Sequence, residues 1–248
     1  LLNGASLPST DPEKKSFSYD IFPASLIENI ITAKTFTPDK PADFSGGLVQ
    51  ISTVEFPSKF TLNVSTSADY RTNTTGSDFT SYSGGSKDYL GYDDGTRAMP
   101  SIITDTKVAR GNYSLTEIND IGKSFQNNWN TSLSNAPING NLKITLGDNY
   151  PLGGDLVGYI ASFSGNNYSS NVMLSGLFNV SYKFSGTNKI SFKNIYNQNA
   201  DDEVTLYEGL YRGADQYRQN TTFRYISRSL FSTQLIGEHN FNIFNSLG

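Results

Sequence analysis

The sequence predicts a mainly β fold, with antiparallel strands dominating and helix confined to a small α+β segment at the start. Three observations predict it. Tyr, Phe, Thr, Asn and Gly crowd the composition, with 15 Tyr and 16 Phe, residue types that favour a pleated, half-covered surface and its turns. Apolar residues recur at every second position in six separate segments. The connections between those segments alternate between short and long.

The opening "LLNGASLP" reads as a short strand ending in a turn. In "FPASLIENIITAK", Pro23 suits a first helical turn, a brief helical stretch runs through Leu26, and the isoleucine-rich run from Ile27 to Thr32 reads as extended. Pro38 and Pro41 mark an irregular loop, because proline fixes the backbone where no ladder hydrogen bond is needed. Gly46 and Gly47 then lead into "LVQISTVEF", where Leu48, Gln50 and Ser52 alternate with Val49, Ile51 and Thr53.

From Phe56 onward helix signals nearly vanish. In "FTLNVSTSADY", Phe60, Leu62, Val64, Thr66, Ala68 and Tyr70 fall on one face, with polar residues on the other. "LKITLG" repeats the period with Leu142, Ile144 and Leu146. "VGYIASFSG" sets Val157, Tyr159, Ala161 and Phe163 on one face, and Ile160 breaks the pattern. "VMLSGLFNVSYKF" aligns Val172, Leu174, Phe178, Val180, Tyr182 and Phe184, and "ISFKNIY" continues with Ile190, Phe192 and Tyr196. "TTFRYISRSLFSTQLIGEH" is noisier, with Arg224 and Arg228 opposite Phe223 and Tyr225.

Between these strands, residues 71–138 read as a very long excursion, "PLGGD" and "FSGTN" as tight turns, and "ADDEVTLYEGLYRGADQYRQ" as a long loop. Tight turns at one end and elaborated loops at the other are the geometry of an outer-membrane β-barrel. A soluble sandwich or barrel also yields half-buried alternating strands, so periodicity leaves both open. A net charge of −4 gives no basic footprint for nucleic acid. The absence of cysteine removes disulfide frameworks and thiolate metal sites, and the single His239 argues against a zinc cluster or a histidine triad.

The strings "LLNGASLPSTDP", "FPASLIENIITAKTFTPDKPADFSGGLVQIST" and "VEFP" resemble the C-terminal half of the plug domain of TonB-dependent outer-membrane receptors of the Bacteroidetes type. The resemblance continues through "FTSYSGGSKDYLGYDDGTRAMPS" and "YKFSGTNKISFKNIYNQNADDEVTLYEG" and covers nearly all of the chain. It implies residues 1–56 as the C-terminal part of the plug and 57–248 as the N-terminal part of a transmembrane barrel, joined at Gly46, Gly47, Phe56 and Pro57. The six strands are then part of a plugged transmembrane antiparallel β-barrel, which closes with roughly 22 strands, so the remaining strands are expected from the same polypeptide. A longer connection than "NNYSSN" is expected between the third and fourth strands. The implied function is energised nutrient uptake across the bacterial outer membrane, with outer-membrane lipid around the strands and TonB acting through a segment outside these residues. The alternatives are a structural or docking subunit without transport, in a larger membrane complex or under a surface lipoprotein, and a soluble β-sandwich binding module.

No catalytic constellation, cofactor motif or metal cluster is expected. "YSGGSKDYLGYDDG" lacks the Gly-Lys-Ser/Thr ending of a phosphate loop. Tyr82, Tyr89, Tyr92, Asp93, Asp94 and Arg97 instead supply stacking faces and charged hydrogen-bond partners for a ligand or partner protein, unless the loop packs on itself. Asp201, Asp202, Glu203 and Glu208 lack the spacing of a calcium loop and read as solvated. Arg224 and Arg228 suit contact with acidic plug residues or a polar lumen.

Overall fold

A computed structural model describes residues 1–7, 27–38, 40–41, 44, 46–103, 113–184 and 186–240. The expected helical stretch after Pro23 lies outside the described residues. The fold is mainly β and wholly antiparallel in its ladders. Strands β1 (Ile27–Ala33) and β2 (Leu48–Thr53) form a two-stranded unit. Leu2 bridges to Ile51 beside it, and Asn3 and Gly4 turn the chain back through positive φ. The proline loop between β1 and β2 is built from turns closed by Lys40 N–H on Thr37 and Phe44 N–H on Pro41.

The main sheet has six strands. They are β3 (Thr61–Asp69), β6 (Asn139–Leu152), β7 (Asp155–Tyr168), β8 (Asn171–Phe184), β9 (Asn188–Tyr211) and β10 (Gln216–His239), adjacent in that order. Between β3 and β6 the chain makes a separate ladder of β4 (Asp78–Tyr82) with β5 (Thr131–Asn135), a short 3-10 turn at Asp88–Leu90, and helix α1 (Leu115–Ser124).

Registers run without a bulge across the main sheet, so its two faces are set by parity alone. One face meets the N-terminal unit. Its aligned row Gly147, Ile160, Asn179, Lys193 and Gln234 lies under Leu2, Ile51 and the residues from Val54 to Pro57. The buried cluster there joins Leu2 and Ile51 to Ile160, Leu177, Ile195 and Leu230. Around it the face is polar, with Asn179, Ser181, Ser191 and Asn197 buried. Ile160, the break in the strand's alternation, is thus one of the sheet residues that form this cluster with Ile51 and Leu2.

The opposite face is apolar and open toward the tight turns, while at its other end the chain around Gly91 covers Gln198 and Ala200. Leu62, Val64, Ile144, Phe163, Phe178, Phe192, Phe231 and Leu235 all project there, with exposures between 40% and 75%. Near the tight turns Tyr150 stacks on Tyr159 and Tyr182 on Phe184.

Two expectations are corrected. The segment "ADDEVTLYEGLYRGADQYRQ" is not a long loop: β9 and β10 run through it and turn only at residues 212–215. Its acidic residues lower strand propensity but are met across the ladder, Glu203 by its direct partner Arg224 at 3.7 Å and Asp201 by Arg228 at 3.2 Å. Helix is not confined to the start, because Ser114 and Glu117 form a reciprocal capping box that opens α1. The connection "NNYSSN" closes as a tight turn at residues 169–170.

Candidate functional site

Two clusters hold the singled-out residues. The first is the junction between β2 and β3, where four successive residues are each held by the sheet. Val54 C=O accepts from the Asn179 side-chain amide at 2.5 Å. Glu55 Oε1 accepts from Lys189 Nζ at 2.8 Å and lies 3.5 Å from Lys193 Nζ. The Phe56 ring covers Gly158, where an added Cβ would overlap it. Pro57 covers Gly147, where a Cβ would lie 2.8 Å from its Cδ, and its C=O accepts from Asn149 at 2.8 Å. Gly46, with φ +88°, makes the turn into β2 that a side chain would strain, whereas Gly47 has neither a positive φ nor a close neighbour.

Burial pushes the Glu55 carboxyl up, but the hydrogen bond from Lys189 and the charges of Lys193 and Lys189 outweigh it and leave its pKa below the ordinary 4.5. A carboxyl whose folded pKa is lowered stabilises the folded state above its unfolded pKa and loses that contribution as pH falls through the folded value. Acidification from pH 4.5 downward should therefore loosen the junction. Protease susceptibility at residues 54–60 should rise over that range, and Glu55→Gln should flatten the dependence; an unchanged profile in the variant would assign the acid response elsewhere.

The second cluster is the segment from Tyr82 to Arg97. Arg97 grips Asp88 in two parallel bonds of 2.9 and 2.6 Å. Its Nε and Nη2 also donate to the Tyr82 hydroxyl, and its guanidinium lies 3.9 Å from the Tyr225 ring centre. Asp93 stands 3.6 Å away as a further partner. Burial works against the Arg97 charge, but Asp88 and Tyr82 outweigh it, so the proton is held more firmly than usual. Asp94 accepts from Thr96 and Ser86 through side chains and backbone, which holds its carboxyl well below the usual carboxylate range. Gly84 and Gly85 are the cradle for these aspartates, since a Cβ at either would meet the carboxylates of Asp88 and Asp94. The double glycine thus serves the loop's own acids.

Gly91, with φ +79°, lets the loop touch β9 and β10: its C=O accepts from Gln198 Nε2 at 2.5 Å and Ser227 Oγ at 2.8 Å. Tyr92 bonds hydroxyl to hydroxyl with Tyr196 at 2.7 Å. Tyr89 is exposed, beside Leu142 and Leu174. So Tyr82, Asp93 and Arg97 are brought together, Asp94 and Tyr92 brace the loop separately, and Tyr89 stands apart. Arg97→Lys keeps the charge but not the fork. It should cost about 1 kcal/mol of local stability, read as faster proteolysis between residues 83 and 99; equal protection would show that the fork contributes nothing.

Sequence reading missed Asp88, Tyr225, Phe223 and Trp129. Together with Tyr82 and Phe125 the last three wall a cleft of about 370 Å³. Phe223 meets Tyr82 edge-on at 5.0 Å and Trp129 at 6.3 Å. The one available signal was Trp129, the single tryptophan of the chain, in an otherwise polar stretch. Among the described residues no group of acidic or histidine side chains is arranged to hold a metal ion, and no helix is long and apolar enough to cross a membrane, which says nothing of strands. No protein family, curated protein or solved structure matches the chain.

Proposed function

We propose that the chain is the C-terminal part of the plug and the first six strands of the barrel of a TonB-dependent outer-membrane receptor that takes up a nutrient. One observation carries the reading: toward the tight turns the sheet leaves one face apolar and open while the other, polar face receives Leu2, Ile51 and the Val54–Pro57 junction. A soluble sandwich needs a second layer over the whole apolar face, and of the described elements only the segment around Asp88–Leu90 rests there, at the far end beside Leu174, Gln198 and Ala200. From Leu174 to Phe184 the apolar band runs about 34 Å along the strand, or about 26 Å in height at a tilt of ~40°, close to the ~25 Å of a barrel's lipid-facing band. The stacked Tyr150, Tyr159, Tyr182 and Phe184 then form an interfacial girdle.

Single-cysteine variants of the full polypeptide test the placement. In isolated outer membranes, Val64→Cys and Phe178→Cys should resist a water-soluble maleimide and react once detergent is added; labelling at the denatured rate would overturn it. Transport is tested by nutrient-dependent growth with and without functional TonB. Growth that ignores TonB leaves the second reading, a docking or structural subunit. That reading has its own support, because the charged groups of the Tyr82–Arg97 segment bond to one another and rest on the face away from residues 1–57.

A further inference from the structure

We propose that the aromatic cleft beside Trp129 is a binding site for a neutral saccharide ring, set outside any path through the sheet's covered side. The inference goes beyond uptake: the cleft can bind whether or not the chain transports anything. Trp129 offers a flat face that is 69% exposed, and Phe125 is 45% exposed beside it. An indole exposed on a concave wall, backed edge-on by Phe223, is a platform for the C–H face of a sugar ring. Gln126 and Asn128 line the same cleft and provide amides for a ring's hydroxyl groups, and the Thr96 hydroxyl beside them, which donates to Asp94, keeps its lone pairs to accept from one. The Tyr225 hydroxyl, on the same wall, is buried and has no hydrogen-bond partner among the described residues.

Charge argues for a neutral ligand. Among the described residues the only charged side chain on the cleft wall is Arg97, and its nitrogens are taken by Asp88 and Tyr82. Among those residues an anion would find no uncommitted cation on the wall and would face Asp88, Asp93 and Asp94 behind it, while a cation would meet the Arg97 charge. The location argues against cargo. Phe223 and Tyr225 have the parity of the open face, whereas Leu2, Ile51 and the Val54–Pro57 junction sit on the other. Tyr225 pairs with Asp202, four residues beyond Gln198, the partner of Leu174. That puts the cleft about 13 Å along the strand past the upper edge of the apolar band. A free saccharide and the sugar headgroup of a glycolipid both reach such a position.

The test is titration calorimetry on the full polypeptide in a detergent without a sugar headgroup. The probes are maltose and N-acetylglucosamine, then phosphatidylcholine vesicles with and without a monogalactosyl lipid. Binding of a free sugar assigns a free saccharide, and binding of the glycolipid vesicles alone assigns a headgroup; both support the site. In either case Trp129→Ala should weaken binding about tenfold or more, while Trp129→Phe stays within about threefold. Asn128→Ala should also weaken it, which keeps the test decisive if Trp129→Ala does not fold. No binding in any arm overturns the proposal, as does sugar binding that ignores both substitutions. Trp129-dependent binding of indole with no saccharide bound overturns the ligand class.

Discussion

Arginine in place of Val64 should cost about 2–4 kcal/mol of folding stability in the membrane, and arginine in place of Ser65 a small fraction of that. Val64 stands in one cross-strand row with Ile144, Phe163 and Phe231, on the open face. On the barrel reading Val64 is near the middle of its own strand's alternating run from Phe60 to Tyr70, where a guanidinium has neither water nor a counter-charge. Ser65 has the opposite parity and pairs with Lys143, on the side where Thr145 bonds Ser162. A cation there stays among hydroxyls, amides and water. The measurement is reversible unfolding of the full polypeptide in lipid vesicles, monitored by the heat-modifiable mobility of the folded barrel. In a soluble sheet Val64, on edge strand β3 and already 62% exposed, would accept arginine with little cost. Equal tolerance at 64 and 65 would therefore remove the membrane from the account.

The strands were legible where one face differs from the other. β3, β6, β7 and β8 each show the period of two because their open face is apolar and their covered face polar. The signal failed where that difference disappears. Asn197, Gln198, Asn199 and Ala200 are all buried, the odd pair on the side of residues 1–57 and the even pair beneath Gly91. No alternation survives in such a stretch. Just beyond it Asp201 to Glu203 read as a loop, because their charges are matched by Arg228 and Arg224, some 20 or more residues on in β10. The capping box of α1 is local, with Ser114 three residues before Glu117, but it sits inside an excursion whose other signals are scattered aromatic and charged residues. The candidate site was half legible. Its loop residues cluster in sequence from Tyr82 to Arg97, but the cleft's other walls come from Trp129 and from Phe223 and Tyr225, which only the fold of β10 brings near.

Gly158→Val should destabilise the chain by about 1–3 kcal/mol and free the junction, although valine is the better strand former. Gly158 is an interior residue of β7, paired on both sides, with no positive φ to protect. Glycine in such a place weakens a strand, so its presence calls for a reason. The reason is Phe56. Its ring lies where a Cβ would be, and it cannot move alone, because Glu55 is held by Lys189 and Pro57 by Asn149 and the Gly147 seat. A side chain at 158 must therefore lift a segment pinned at both ends. Gly176→Val in β8 is the matched control: it lies on the open face with nothing within 4 Å of an added Cβ, so strand propensity alone decides and the change should be neutral or stabilising. Protease sensitivity at residues 54–60 should rise in Gly158→Val and not in Gly176→Val. Adding Phe56→Ala to Gly158→Val should recover part of the stability that either change loses alone, because the cavity left by the ring takes the new methyl groups. Additive losses in that double variant would mean that the two residues do not meet, and the seat of Phe56 on the wall would be wrong.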